Sequence, residues 1–85
     1  MKIYKYQDGK CNISGRKIRE LRESARMSQE ALASKAQLEG LNLNQKAISR
    51  IETGERVVPD YELLYFSKIL QVPVQTLLDP NSDMM

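Results

Sequence analysis

Residues 44–54 carry both a start signal and a stop signal for one short helix. Asn44 can cap the first turn through its side-chain oxygen. Gly54 can end the helix in a left-handed conformation that other residues resist. Ile48 and Ile51 are three residues apart, so they lie on one face of the helix and should be buried together. The segment therefore predicts a helix with one buried face and one polar face.

The polar face is concentrated at the start of this predicted helix. Its members are long or hydrogen-bonding side chains, namely Gln45, Lys46, Ser49 and Arg50. Such a helix can insert its N-terminal end into the major groove of DNA, where glutamine can pair with adenine and lysine can donate to guanine. We therefore expect Gln45 and Lys46 to contact bases, against the alternative that they are simply solvated. Ser49 fits either interpretation, and Arg50 can contact a base, contact a phosphate or pair with a nearby glutamate.

Apolar residues recur at helical spacing in four other segments of the chain. The first segment follows Ser14-Gly15 and should end near Met27. Ser28 then has the position of a cap for the second helix. Gly40 breaks that helix, and the residues as far as Leu43 should form a turn or a short extension.

The last two predicted helices begin at Pro59 and Pro73, because proline suits the first turn of a helix. Five short helices with brief connections predict an all-α fold, a compact five-helix bundle. The chain has 85 residues, so one domain is expected, and we assign it to residues 14–79. Residues 1–13 should form a short extended arm, and residues 80–85 a frayed tail.

Composition argues against several classes of protein. The chain contains no histidine, and Cys11 is its one cysteine, so an internal disulfide and the usual zinc ligand sets are excluded. We expect no enzyme activity, no metal and no cofactor, because no glycine-rich phosphate loop or metal-spaced cluster is present. No apolar run approaches the roughly 20 residues that span a bilayer, and no secretory signal is recognisable. We therefore expect a cytoplasmic protein without membrane contact.

Charge is unevenly distributed, although the net charge is only +2. Basic residues outnumber acidic ones in residues 1–26, the two balance in residues 27–56, and acidic residues dominate residues 57–85. The basic excess in residues 1–26 suggests a polyanionic partner. The alternative is that these residues form a solvated helix face. The candidate phosphate contacts are Arg16, Lys17, Lys35 and Arg56.

Four segments of the chain form a specific combination. They are residues 18–22 (IRELR), 28–33 (SQEALA), 48–54 (ISRIETG) and 63–72. Together they resemble the phage-repressor-type helix-turn-helix family, also called Xre/Cro-like. The resemblance implies a lambda-repressor-like bundle whose second and third helices form the helix-turn-helix. It also implies a transcriptional regulator, usually a repressor, that binds a pseudo-palindromic operator in double-stranded DNA as a homodimer.

The resemblance also implies roles for single residues. Gln29 matches a position that contacts a DNA phosphate, and the backbone N–H groups at a helix start favour a phosphate there. Gln45 and Lys46 match the first base-reading positions. Glu52 matches an acidic residue that pairs with a basic residue of the first helix, here Arg22. The remaining expected contacts are Ser49 and Arg50 with bases or phosphates, and Asn44 and Arg56 with phosphates.

Two features leave alternatives open. Residues 37–43 make the link before the third helix several residues longer than the family's tight turn, so either the second helix runs further or the turn bulges. The dimer contact is expected on the fifth helix and the tail, with the tyrosine-bearing arm as the alternative. The apolar residues of the fifth helix and tail are Val74, Leu77, Leu78, Met84 and Met85.

Two other functions compete with a DNA-binding regulator. An antitoxin would bind a toxin protein as well as its own operator, and would use the acidic tail and exposed tyrosines for the protein partner. A protein-interaction module that has lost DNA binding would keep the fold and show no salt-dependent affinity for any duplex.

Overall fold

The computed structural model describes residues 9–79, and this part of the chain forms five α-helices and no strand. They are α1 (Gly15–Ser24), α2 (Gln29–Leu38), α3 (Gln45–Thr53), α4 (Asp60–Leu70) and α5 (Val74–Leu78). The predicted all-α fold is therefore confirmed. The predictions for residues 1–8 and for the tail at residues 80–85 lie outside the described residues. Among the described residues, no helix combines the length and apolar character that a bilayer crossing requires.

Two of the predicted helix caps are formed by side chains. The Ser28 hydroxyl accepts a hydrogen bond from the Ala31 N–H at 3.0 Å. The Asn44 side-chain oxygen accepts one from the Ala47 N–H at 2.8 Å. Both bonds satisfy backbone donors that a helix start leaves unpaired, so the beginnings of α2 and α3 are encoded locally.

Helices α1, α2 and α3 end with the same hydrogen-bond pattern, in which a left-handed residue turns the chain back over the last turn. That residue is Gly40 after α2 and Gly54 after α3, with φ of 96° and 84°. After α1 it is Arg26, with φ of 58°, and the Met27 N–H donates to the Arg22 carbonyl oxygen at 3.0 Å. Helix α1 therefore ends at Ser24, about one turn before the predicted end.

The long link between α2 and α3 is a turn followed by a short extension, so the prediction from Gly40 is correct and α2 does not run further. Leu41 and Leu43 are buried in this link, at 6 % and 5 % exposure. The Gln37 side-chain amide donates to the Leu43 carbonyl oxygen at 2.8 Å. The extra length of the link thus adds two buried leucines to the core.

The core lies between all five helices of the described chain. Ile48 and Ile51 are fully buried, as their spacing predicted, and α3 packs against both α1 and α2. Burial of one such side chain stabilises the fold by about 1.5–3 kcal/mol. The other large, fully buried apolar side chains are Ile18, Leu32, Phe66 and Leu77. Burial of its isoleucines leaves the opposite face of α3 toward solvent.

Candidate nucleic-acid interface

The exposed side of α3 carries the four residues that were predicted to contact bases. Gln45, Lys46 and Arg50 are exposed, and Ser49 is half-buried. All four lie on the helix whose isoleucines are buried, so the core fixes which way their surface faces. The arrangement presents one amide, one hydroxyl and two cations within a nine-residue helix, a set of groups that can donate to and accept from base edges.

Gln45 is joined to α2 through Gln29. The Gln45 Nε2 atom donates to the Gln29 Oε1 atom at 2.7 Å, and Gln29 Nε2 donates to Glu52 Oε1 at 3.0 Å. Gln29 therefore links the first exposed side chain of α3 to a carboxylate near the other end of the same helix. An amide nitrogen carries two N–H groups, so both glutamines keep one beyond these bonds.

Arg22 and Glu52 form an ion pair between α1 and α3. The Arg22 Nε and Nη2 atoms donate to the Glu52 carboxylate at 2.7 and 3.1 Å, and the two side chains are 10 % and 2 % exposed. Arg22 Nη1 also donates to the Met27 carbonyl oxygen at 2.7 Å. The hydrogen bonds with Glu52 raise the pKa of the Arg22 guanidinium, although burial acts in the opposite direction. The structure thus brings together the two residues that the resemblance paired.

These contacts form one polar network that runs from Arg22 through Glu52 and Gln29 to Gln45. In the described residues, every buried side-chain nitrogen or oxygen atom has a hydrogen-bond partner. The Arg22–Glu52 part of this network is buried, and a satisfied buried network rigidifies the groups that it joins, whereas the Gln29–Gln45 bond is exposed. Its free end is Gln45, on the exposed surface of α3.

A second set of contacts holds the C-terminal end of α3, and the sequence reasoning missed it. The Asn12 Nδ2 atom donates to the carbonyl oxygens of Ile51 at 3.0 Å and Arg56 at 2.7 Å. Its Oδ1 atom accepts from the Gly15 N–H at 2.7 Å, and the Cys11 N–H donates to the Gly54 carbonyl oxygen at 2.8 Å. Asn12 therefore connects the start of α1, the end of α3 and the following loop.

Asn12 lies in the predicted arm, before the domain boundary that was predicted at residue 14, and nevertheless contacts the domain. Residues 1–13 were expected to form an arm outside the domain, but Cys11 and Asn12 pack against α3. An asparagine three residues before a helix start is a recognisable local signal, and it could have indicated the bond to Gly15. No local signal could have indicated the bonds to Ile51 and Arg56, because these partners are 39 and 44 residues away.

The basic residues of α1 that were predicted to contact phosphate have different surroundings. Arg16 is 82 % exposed, and its Nε atom lies 3.3 Å from the Glu20 carboxylate. The Lys17 side chain is 5 % exposed, and its Nζ atom lies 3.6 Å from the same carboxylate. A buried lysine would have to leave this site to reach a phosphate. The assignment of Lys17 as a phosphate contact stays a prediction, which its burial disfavours, whereas Arg16 remains at the surface.

Arg56 is also engaged within the protein. Its Nη1 and Nη2 atoms donate to the Glu62 carboxylate at 2.7 and 2.9 Å, and the Glu62 side chain is 3 % exposed. These hydrogen bonds raise the pKa of the Arg56 guanidinium. Arg56 therefore compensates a buried charge at the start of α4. Its assignment as a phosphate contact stays a prediction, which this pairing disfavours. The sequence reasoning did not single out Glu62.

The remaining predicted phosphate contacts lie at helix starts. Asn44 is exposed, and its side-chain oxygen is used to cap α3. Gln29 is the first residue of α2 and is half-buried. Both residues stand beside backbone N–H groups of the first turn, where the helix dipole favours an anion.

The chain matches a protein-family model and is similar to a solved structure. Residues 15–79 match the family model of a helix-turn-helix domain. The chain is similar to the crystal structure of the restriction-modification controller protein C.AhdI from Aeromonas hydrophila, with 28% sequence identity and a TM-score of 0.65. That match covers 74% of this chain and 84% of the controller protein. No curated protein sequence matches the chain.

Proposed function

Because the chain is a DNA-binding transcriptional regulator that belongs to the helix-turn-helix domain family, we propose that it reads a specific operator with α3. In this proposal the N-terminal end of α3 enters the major groove. The observation that carries it is the exposed surface of α3, whose first side chain, Gln45, is held in place by Gln29 at 2.7 Å. A base-reading side chain that is already oriented loses less conformational freedom on binding.

Base recognition is assigned to Gln45, Lys46, Ser49 and Arg50. Gln45 retains one N–H group and its carbonyl oxygen beyond its bond to Gln29, which is the pair of groups that recognises adenine. Lys46 is exposed and can donate to guanine. Each good base contact contributes about 1–3 kcal/mol of discrimination against the wrong base.

Phosphate contacts are assigned to Gln29, Asn44 and Arg16. Gln29 and Asn44 lie at the starts of α2 and α3, where backbone N–H groups add to the attraction. Arg16 supplies an exposed cation. Each phosphate that is neutralised releases counterions, so affinity should fall steeply with salt concentration. Lys17 and Arg56 are left out of the proposed surface, because both are engaged within the fold.

We extend the proposal to a homodimer on a pseudo-palindromic operator. A monomer of this size reads too few base pairs for selectivity in a genome. Of the α5 residues expected at the dimer contact, Leu77 belongs to the core at 1 % exposure, whereas Leu78 is 43 % exposed. Tyr61 and Leu64 are 56 % and 58 % exposed, and their spacing places them on one face of α4. This face of α4 is the dimer contact that we propose, with a second copy of the chain as its occupant.

The test of DNA reading is selection of bound duplexes from a random pool, repeated with Gln45→Ala and Lys46→Ala. Each variant should lose preference at one position of each half-site. Lys35→Ala is the matched control, because Lys35 is exposed on α2 and should leave the selected sequence unchanged. The base-reading assignment is wrong if neither variant alters the motif. The proposed function fails if the wild-type protein enriches no motif at low salt.

The test of the dimer is sedimentation equilibrium of Leu64→Asp, which should sediment as a monomer and bind the palindrome less tightly than a dimer does. Leu38→Asp is the control, because Leu38 is 86 % exposed on a different helix. If Leu38→Asp alone caused dissociation, the dimer interface would lie on α2 and not on α4.

Repression of a reporter whose promoter overlaps the selected site is the expected regulatory outcome, and activation would contradict it.

A further inference from the structure

We propose that Asn12 is a positioning residue for DNA recognition, which sets the orientation of α3 without touching DNA. The inference rests on the proposed reading of DNA by α3. Asn12 lies outside the helix-turn-helix itself and before the residues that match the family model, which begin at residue 15. It nevertheless contacts the last turn of α3, the loop after α3 and the first turn of α1 at once.

The chemistry of this contact requires an amide. The Asn12 side chain accepts one hydrogen bond, from the Gly15 N–H, and donates two, to the carbonyl oxygens of Ile51 and Arg56. Asparagine offers one carbonyl oxygen and two N–H donors, whereas aspartate offers only acceptors when it is ionised. A carboxylate at this position would keep the bond to Gly15 and would face two carbonyl oxygens without a donor. Asn12→Asp therefore separates the bonds to Ile51 and Arg56 from the bond to α1.

The surrounding backbone makes this contact a close one. A Cβ atom at Gly15 would collide with the Ile51 carbonyl oxygen and lie 2.7 Å from Asn12 Oδ1. The start of α1 can approach the end of α3 because residue 15 has no side chain. Asn12 makes hydrogen bonds to both sides of that junction. Beside it, the Cys11 N–H donates to the Gly54 carbonyl oxygen.

Two polar contacts near the C-terminal end of α3 add to the core packing of its isoleucines in setting where the exposed end of the helix points. The Arg22–Glu52 pair ties α3 to α1 on one side, and Asn12 ties its C-terminal end. Helix α3 is about 13 Å long at 1.5 Å per residue, so a small tilt at the clamped end is carried to Gln45. A binding site needs its groups held within about 0.5 Å of the productive geometry. Loss of the Asn12 clamp should therefore reduce specific binding more than non-specific binding.

The experiment compares Asn12→Ala and Asn12→Asp with the wild-type protein and with Asn42→Ala. Asn42 is an exposed asparagine in the link before α3 and serves as the matched control. Affinity is measured for the selected operator and for a scrambled duplex of the same composition, well below the melting temperature of each variant. Both Asn12 variants should lose about tenfold in operator affinity, equal to one base contact, with the scrambled duplex changed less than twofold. Asn42→Ala should change neither affinity.

A merely structural role would give a different result. Partial unfolding would weaken binding to both duplexes by the same factor, and an unchanged ratio of the two affinities would overturn the proposal. NMR of the free protein supplies a readout that does not depend on DNA. Asn12→Asp should shift the amide resonances of residues 45–49, and unchanged resonances there would overturn the proposal even if Asn12→Ala failed to fold. Absence of operator preference in the wild-type protein would instead refute the proposed function. The amide shifts would still test whether Asn12 orients α3, because they are measured without DNA.

Discussion

The two ends of α3 have opposite surroundings. At its N-terminal end, Gln45 and Lys46 are exposed, and Gln45 has a side-chain partner in Gln29. At its C-terminal end, Glu52 and Gly54 are buried and bonded to other parts of the fold. The difference shows that recognition and anchoring are separated along one short helix. The orientation of the exposed N-terminal end of α3 therefore depends in part on how the C-terminal end is anchored.

The hydrogen-bond network from Arg22 to Gln45 connects the two ends of α3. The Glu52 carboxylate of α3 accepts hydrogen bonds from Arg22 of α1 and Gln29 of α2. It therefore connects three helices. Gln29 then reaches Gln45 at the exposed end. A substitution at either end should be detectable at the other. In order of decreasing expected effect, Arg22→Ala, Gly15→Ala and Gln29→Ala probe the contacts that hold α3, and Arg16→Ala probes the exposed surface of α1.

Arg22→Ala should have the largest effect, because it leaves the Glu52 carboxylate buried without its charged partner. Removal of one member of a buried pair costs about 3–5 kcal/mol. Urea unfolding followed by circular dichroism measures the loss. Arg19→Ala is the control on the same helix, since Arg19 forms a largely exposed pair with Glu23, which contributes about 1 kcal/mol or less. Equal losses from the two variants would show that the pair with Glu52 does not anchor α3.

Gly15→Ala should have the next largest effect, because the new methyl group would collide with the Ile51 carbonyl oxygen. Forcing extra atoms into a packed junction costs about 1–3 kcal/mol. The melting temperature should fall, and the amide resonances at the end of α3 should shift more than those of α4. A variant as stable as the wild-type protein would mean that α1 and α3 separate readily at this junction.

Gln29→Ala should weaken the link between the two ends of α3. The two lost hydrogen bonds contribute about 0.5–1.5 kcal/mol each to stability, and Gln45 would lose its orientation. A double-mutant cycle with Gln45→Ala on operator affinity should therefore give a coupling energy of at least about 0.5 kcal/mol. Strict additivity of the two substitutions would indicate that Gln29 does not orient Gln45.

Arg16→Ala should have the smallest effect, because Arg16 is exposed and makes only a surface ion pair. Stability should change by less than about 0.5 kcal/mol. Binding should weaken equally for all duplexes, and the slope of log affinity against log salt should decrease by about 1. Arg56→Ala is the contrasting variant, since it leaves the Glu62 carboxylate buried and should destabilise the fold without a selective effect on the salt slope.

Much of the fold was predictable because its signals are local. Ser28 and Asn44 cap helices through backbone groups three residues away, and Ile48 and Ile51 reveal a buried face by their spacing. The end of α1 was placed too late because its left-handed residue is Arg26, a residue type that rarely marks such a position. Glycine marks the corresponding positions after α2 and α3, which were predicted correctly.

The candidate site was predictable only in part. The exposed surface of α3 followed from its periodicity, and the pairing of Arg22 with Glu52 came from the resemblance to a family. The burial of Lys17 and the pairing of Arg56 with Glu62 were not foreseen. Charge in a sequence indicates that a side chain can bind an anion, but whether it is available depends on which carboxylates the fold brings to it.

The sequence by itself determined five short helices, the side-chain caps of α2 and α3 and which face of α3 is buried, because these properties depend on residues within one or two turns of each other. Tertiary structure alone decided how α3 is held. Asn12 meets Ile51 and Arg56 across 39 and 44 residues, and Gln29 meets Glu52 across 23. Hydrogen bonds act over about 3 Å, so partners this distant in the chain are selected only when the helices have packed.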